Sequence, residues 1–338
     1  MSLGLIGSEE LEKFYKQKFY FSYSGINKLL FSPLMFYKHY ILQQREDSTD
    51  AHLVTGKALH CLLLEPEKFD EQFLIIPSKI PSENQKKIID NIFKYHLTLG
   101  NNTLILSDYS NEILTELLNA NLHQSLKTDQ QRIDKILTPE NITYFAYLKA
   151  SIDKSVISQA TYDGCVEAVE LLKSNKDVAA LLQLDENERN PDTVVLNELQ
   201  LSADIEGLSF GFKGVLDNVV IDKESKTVFI NDLKTTGKAI QDFPESVEYY
   251  RYWIQAAIYV KLVESCLLKS VAKEDWKIQV TFIVIDKYNL IYPYQVSLDT
   301  LALWQDKFEN EVVPQLVWHY ENKRYDLPYE LATGNVKL

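Results

Sequence analysis

Asp217, Asp232 and Lys234 are the residues whose type and spacing suit chemistry. Asp232-Leu233-Lys234 stands inside VFINDLKTT, and Asp217 ends the run GVLD fifteen residues earlier. Side chains alternate along a strand, so Asp232 and Lys234 share one face and Leu233 takes the other. Residues 222–225 read as a tight turn that folds both runs into a hairpin. That pairing places 232 opposite 215, 216 or 217, so Asp217 and Asp232 can converge with Lys234 beside them. Two carboxylates offer hard oxygen ligands for Mg²⁺ or Mn²⁺. A divalent ion polarises a phosphoryl oxygen and lowers the pKa of water. The lysine ammonium can orient that water or neutralise charge on the phosphate. The backbone carbonyl of Leu233 is a further candidate ligand.

An Asp and a Lys two apart also fit a solvated strand face. Here Val228, Phe229, Ile230 and Leu233 surround them, and Asp217 lies between Gly214-Val215-Leu216 and Val219-Val220. A charge in a near-continuous apolar strand is costly unless it binds something. Arg251, Gln255 and Tyr259 follow at i, i+4 and i+8, one face of a helix. That stripe could hold a phosphate or orient Lys234; a solvated face fits it equally well. His60, between Leu59 and Cys61, reads more simply as a core histidine than as a ligand.

These residues need elements to hold them. Residues 9–20 read as a short helix. Ser24 is a plausible N-cap for a helical unit ending at Ser32-Pro33, and a second helix spans 34–44. A polar loop follows at 45–50, then a helix at 51–65 stopped by Pro66. Residues 67–82 are irregular, with a strand fragment among prolines. From 83 to 182 the pattern is mostly helical, with a turn at Gly100-Asn101-Asn102. After Asn190-Pro191 three strands rich in Val, Ile and Phe appear. A long helix at about 247–267, two strands with a turn at Asn289, and a helix near 298–321 complete the order. The expectation is an α/β protein with a mixed sheet flanked by helices and a helical N-terminal half.

Composition narrows the function. The chain has 338 residues, 46% of them apolar and 25% charged, with only 11 glycines. That excludes collagen-like and low-complexity classes. No apolar run reaches the roughly 18 residues of a membrane helix, and the N-terminus lacks a secretory signal pattern. Three scattered cysteines exclude a disulfide framework and a four-Cys iron–sulfur cluster, and suggest a reducing cytoplasm. The net charge of −13 argues against nucleic acid, but residues 13–45 hold six basic residues and no Asp or Glu. Lys28 and Lys38 lie in this segment among many aromatics. Phosphate contacts need local, not net, positive charge.

Four blocks, FSYSGINKLLFSPLMFYKHY, TGKALHCLLLEPEKF, GVLD with NDLKTT, and YYRYWIQAAIY, occur in an order that resembles the phage-type exodeoxyribonuclease VIII (RecE) nuclease domain of the PD-(D/E)xK superfamily. The resemblance implies a restriction-endonuclease-like core in a single domain over 1–338. Residues 191–338 would form the catalytic sheet and helices, and 83–182, longer than expected, a helical insertion. It implies His60, Asp217 and Asp232 as metal residues, Lys234 as catalytic lysine, and Gln255 and Tyr259 as the Gln-x-x-x-Tyr helix. Ser24 and Ser32 match the N-terminal motif that shapes the DNA passage, Arg251 lies in the fourth block, and Glu198 matches an auxiliary acid. It further implies a Mg²⁺- or Mn²⁺-dependent exonuclease on linear double-stranded DNA with free ends, cutting 5′ to 3′ to leave 3′ tails for recombination. A ring-shaped homo-oligomer, a single-strand annealing partner, no iron–sulfur cluster and a bacterial or phage-infected cytoplasm complete the expectation. Two alternatives are a non-catalytic DNA-binding or assembly subunit on a nuclease fold, and a site-specific endonuclease. GxGxxG after a strand, Walker A and HExxH are absent.

Overall fold

The computed structural model describes residues 8–44, 51–269, 271 and 275–335. In chain order its elements are α1 (Ser8–Tyr15), β1 (Tyr20–Phe21), α2 (Tyr23–Phe31), α3 (Pro33–Phe36), α4 (Ala51–Leu64), α5 (Phe69–Gln72), β2 (Phe73–Ile75), α6 (Glu83–Leu99), α7 (Ser110–Asn119), α8 (Asp129–Asp134), α9 (Pro139–Ala150), β3 (Ser155–Ile157), α10 (Gln159–Ser174) and α11 (Lys176–Leu182). Then come β4 (Thr193–Asp204), β5 (Gly211–Asp222), β6 (Thr227–Thr236), α12 (Phe243–Tyr249), α13 (Tyr252–Cys266), β7 (Lys277–Asp286), β8 (Ile291–Gln295), α14 (Leu298–Lys307), α15 (Val313–Asn322) and α16 (Tyr329–Thr333). No helix among the described residues is long and apolar enough to cross a membrane.

The chain divides into two compact units. One draws on Met1–Asp50, Leu63–Glu65 and Ala168–Leu338; the other comprises Ala51–Leu62 and Pro66–Glu167. The divisions fall inside α4 and α10. The second unit is helical apart from the short parallel pair β2–β3. Its core sets Ile88, Ile89 and Ile92 of α6 against Ile113 and Leu117 of α7 and Phe145 of α9. The spacing of those residues is the apolar stripe of a surface helix. Gly100 at φ +64° ends α6, a conformation that glycine adopts without strain.

The first unit carries the sheet. Among the described residues six strands form it. β5 pairs antiparallel with β4 and β6, β6 parallel with β7, and β7 antiparallel with β8. β1 adds a short parallel pairing at Tyr20↔Gly211 and Phe21↔Phe212. The parallel β6–β7 step needs a crossover, and α12 and α13 supply it. α13 is buried almost all round, and packs with Leu216, Val219, Ile230, Val280 and Phe282 in one core. The architecture is the expected α/β one, a mixed sheet flanked by helices.

Several element boundaries differ from the sequence reading. The first helix stops at Tyr15, because Tyr20–Phe21 pairs with β5 instead. Ser22, not Ser24, is the N-cap of α2; its hydroxyl accepts the Gly25 N–H at 3.3 Å. Ser32 ends α2 and caps α3, and the helix expected at 34–44 becomes α3 plus a π turn at Tyr37–Ile41. The helix expected near 298–321 is α14 and α15 joined through a π turn at Phe308–Val312. The strand fragment in 67–82 is Phe73–Ile75, ahead of the prolines. The long helix at 247–267 is broken, because Arg251 takes a left-handed φ of +57°. The Tyr250 carbonyl freed there accepts from Tyr23 Oη at 2.6 Å and Asn27 Nδ2 at 2.8 Å. α2 therefore caps the break. The expected loop at 45–50, and Arg45 with it, lies outside the described residues.

Gly211 leaves room for the Tyr20 ring of β1 and for the backbone of β4. A Cβ at Gly211 would meet the Tyr20 ring at 2.5 Å and the Ala203 carbonyl oxygen at 2.6 Å. The backbone obstacle cannot rotate away. Gly211→Ala is expected to destabilise the protein by about 1–3 kcal/mol. Urea denaturation checks this; an unchanged midpoint would contradict it.

Candidate active site at a strand fork

The hairpin turn is built as read. Asp222 Oδ1 accepts from the N–H groups of Glu224 and Ser225 at 3.0 and 3.2 Å, and the ladder runs from Asp222↔Thr227 to Asn218↔Asn231. Beyond that pair β6 leaves β5 and follows β7, whose register continues to Thr236↔Asp286. β5 continues alongside β4, and β1 rejoins its other edge at Gly211. The two strands thus fork, and the register places Asp217 opposite Asp232 at its mouth.

Hydrogen bonds from several elements hold the mouth. The Leu233 N–H donates to Asp217 Oδ2 at 2.7 Å, a side chain taking the place of the lost ladder acceptor. A strand residue sends N–H and C=O to the same edge, so the Leu233 carbonyl also faces the fork. Asp232 is 1% exposed. Its Oδ1 accepts from Gln255 Nε2 at 2.9 Å, and its Oδ2 pairs with Lys234 Nζ. Gln255 Nε2 also donates to Tyr259 Oη at 2.8 Å, and Tyr259 Oη donates to the Val215 carbonyl at 2.6 Å. This chain ties α13 to both arms of the fork. Gly214 makes room for it, since a Cβ there would meet Tyr259 Cε1 at 2.8 Å.

Lys234 is held charged. Burial, the largest single effect, favours the neutral amine, but the carboxylates of Asp232 and Asp217 together outweigh it and hold the pKa above its ordinary value. The ammonium also lies 4.8 Å from the centre of the Tyr252 ring. Burial, with the Asp232 and Asp217 charges, keeps the Tyr259 phenol protonated.

β4 brings a third acid. Its ladder with β5 is interrupted where Glu198 faces Asp217, and Glu198 has a left-handed φ of +46°. Non-glycine residues adopt that conformation at a cost of roughly 1–3 kcal/mol. The side-chain alternation slips there in both strands. Leu196 and Leu199 both pack on the α13 side, as do Leu216 and Val219. Strict alternation would have sent one of each pair to the other face. Glu198 and Asp217 sit at the slip, with carboxylate oxygens within 4.8 Å of one another. Three carboxylates and one ammonium leave an excess of negative charge, and hard oxygen donors in that setting suit Mg²⁺ or Mn²⁺.

The other expected residues are placed as follows. His60 lies on α4, four residues before Leu64, whose carbonyl accepts Asn197 Nδ2 at 2.9 Å. Ser24 is exposed, and its hydroxyl is 3.1 Å from that of Ser22. With Ser202, Lys213, Val215 and Tyr259 these serines border a cavity of about 610 Å³ next to the fork. The Ser32 hydroxyl is spent on capping α3, 3.4 Å from the Met35 N–H. Lys28 Nζ lies 3.4 Å from His39 Nδ1, and Lys38 is exposed. Arg251 sits at the helix break, so it is not on the helical face of Gln255 and Tyr259; its Nη1 lies 3.5 Å from Asn27 Oδ1. Lys213 and Tyr252 escaped the sequence reading, because nothing local marks an exposed strand lysine or an aromatic beside a helix start.

Comparison with known proteins adds three findings. The model of the PD-(D/E)XK nuclease superfamily matches residues 120–317, more than half of the chain. No curated protein matches. A crystal structure from Eubacterium rectale, of a protein provisionally named an exonuclease, is similar at 12% identity and a TM-score of 0.49; the match covers 100% of this chain and 95% of that one.

Like-charge crowding at the fork generates a prediction. Asp217→Asn keeps an acceptor for Leu233 N–H and removes one negative charge. In EDTA this variant should melt about 2–4 °C higher, for a gain of about 1 kcal/mol. Millimolar Mn²⁺ should raise the melting temperature of the wild type but not of the variant. A variant that melts lower in EDTA, or that Mn²⁺ still stabilises, would contradict the assignment.

Proposed function

We propose that this chain, which belongs to the PD-(D/E)XK nuclease superfamily, is a metal-dependent exonuclease that hydrolyses linear double-stranded DNA from its ends. The observation that carries the reading is the convergence of Asp217, Asp232 and Lys234 at the fork, with Glu198 beside Asp217. In the same reading Asp217, Asp232, Glu198, His60 and the Leu233 carbonyl are the ligands for Mg²⁺ or Mn²⁺. His60 enters through the sequence resemblance.

When bound, the cation supplies positive charge to the phosphoryl oxygens and acidifies the attacking water. The chain's own residues do the rest. Lys234 keeps its proton at Nζ and presents an ammonium to the water or to the developing phosphate charge. Gln255 holds Asp232 at Oδ1, leaving Oδ2 to Lys234. Tyr259 holds the Val215 carbonyl and so fixes the arm that carries Asp217. The cavity bordered by Ser22, Ser24 and Lys213 offers hydroxyls and an ammonium to the DNA backbone, with Lys28, Lys38 and Arg251 as further phosphate contacts.

Attack that proceeds 5′ to 3′, leaves 3′ tails for recombination and runs in a ring-shaped assembly beside a strand-annealing protein belongs to this reading through the resemblance alone. In the same reading residues 83–182 are a helical insertion within a single nuclease domain.

The test is a cleavage assay on end-labelled linear duplex, covalently closed circle and single strand, with Mg²⁺, Mn²⁺ or EDTA. Linear duplex should be degraded only with metal, and the circle should survive. Lys234→Ala should lose about 10²–10⁴-fold in turnover while calorimetry shows its Mn²⁺ affinity largely intact. Cutting of the circle would replace the exonuclease by an endonuclease, and full activity in Lys234→Ala would defeat the assigned chemistry.

A further inference from the structure

On the sheet face opposite α13, three asparagines stand side by side across β4, β5 and β6. The registers Asn197↔Asn218 and Asn218↔Asn231 align them. Asn218 and Asn231 are 0% and 1% exposed. Asn231 Nδ2 donates to Asn218 Oδ1, and Asn218 Nδ2 donates to Asn197 Oδ1, both at 2.8 Å. Helix ends tie off the row. Asn197 Nδ2 donates to the Leu64 carbonyl at 2.9 Å, Asn218 Nδ2 to Leu182 at 3.3 Å and Asn231 Nδ2 to Leu181 at 2.9 Å. Leu64 closes α4, and Leu181 and Leu182 close α11. Carbonyls in a last helical turn have no acceptor role inside their helix. They also fix the direction of every amide, because a flipped amide would set oxygen against oxygen.

Each asparagine is the chain neighbour of one acid: Asn197 of Glu198, Asn218 of Asp217, Asn231 of Asp232. The row lies at the last β5–β6 pair before the fork. Beyond it those two strands share no further ladder pairs, and the side-chain alternation of β4 and β5 slips. Backbone pairing therefore sets Glu198 against Asp217, since the β4–β5 register resumes at Leu199↔Leu216, but no longer sets Asp232 against either. Asparagine is depleted in strands, and burying its amide is costly unless it is hydrogen-bonded. Apolar residues would fill the same space without directional bonds.

We infer that Asn197, Asn218 and Asn231 are positioning residues for the metal site. Their amide ladder locks three strands and the last turn of α4 at the level where Glu198, Asp217 and Asp232 leave the sheet. The inference rests on the metal-site reading proposed above. Buried amide chains strengthen one another, and partners one step removed from a metal typically set its affinity by about 10–100-fold.

The test uses the full chain with Asn218→Leu and Asn197→Ala. Mn²⁺ binding is measured by calorimetry, stability by thermal melting, and kcat and KM on linear duplex. Wild type that binds no Mn²⁺ would defeat the metal-site reading and the ladder's role with it. Given binding by the wild type, both variants should bind Mn²⁺ about 10–100-fold more weakly. Their kcat should fall at fixed Mn²⁺ and recover in part at high Mn²⁺, with KM for DNA unchanged. Leu301→Ala, a truncation in the α14 core, serves as the control that loses stability and keeps its Mn²⁺ affinity. Asparagine variants that behave as this control does would overturn the inference. Asn197→Ala, at the half-buried end of the row, carries the test alone if Asn218→Leu does not fold.

Discussion

The separation of β6 from β5 after Asn218↔Asn231 governs the rest of the molecule. A continuous hairpin would pair the Leu233 backbone with Leu216 and leave the Asp217 side chain on an ordinary sheet face. The fork instead spends the Leu233 N–H on the Asp217 carboxylate. One hydrogen bond is kept in number but moved from backbone to side chain, and an acid is anchored where the backbone opens. The neighbouring strands follow from this. β7 must take up β6 in parallel, which requires the α12–α13 crossover. That crossover brings Gln255 and Tyr259 onto the fork, and α2 caps its break through the Tyr250 carbonyl.

Charge is concentrated where the chain can least easily solvate it. The protein is acidic overall, yet the most buried acid among the described residues, Asp232, is compensated by a buried ammonium and an amide. Breaking a buried pair leaves an uncompensated charge, so neither partner is dispensable for stability alone. Glu198 and Asp217 add negative charge beside it, together with backbone strain at Glu198. Strain and like-charge crowding of this sort persist where function repays them.

Much of this was legible from short-range periodicity. Alternation put Asp232 and Lys234 on one face, the turn at Asp222 limited the register, and the spacing of Gln255 and Tyr259 fixed a shared helical face. These features survive folding because they depend on local geometry. What was not legible lacked a local mark. Arg251 and Glu198 take left-handed conformations with no glycine or proline to announce them. Residues 16–20 read as helix, but Tyr20–Phe21 becomes strand because Gly211, far away in sequence, leaves room for the Tyr20 ring. The asparagine row did leave a trace, in NE, DN and ND pairs inside apolar strands. An asparagine in a strand usually signals a turn, and only the three-strand register reveals a ladder.

Whether the fork holds a divalent cation is decided by anomalous diffraction from crystals soaked in Mn²⁺. A peak is expected at the mouth of the fork, in contact with Asp217 and Asp232. A Mn²⁺ peak elsewhere with none at the fork, or none at any concentration that supports DNA cleavage, would contradict the cation-site reading.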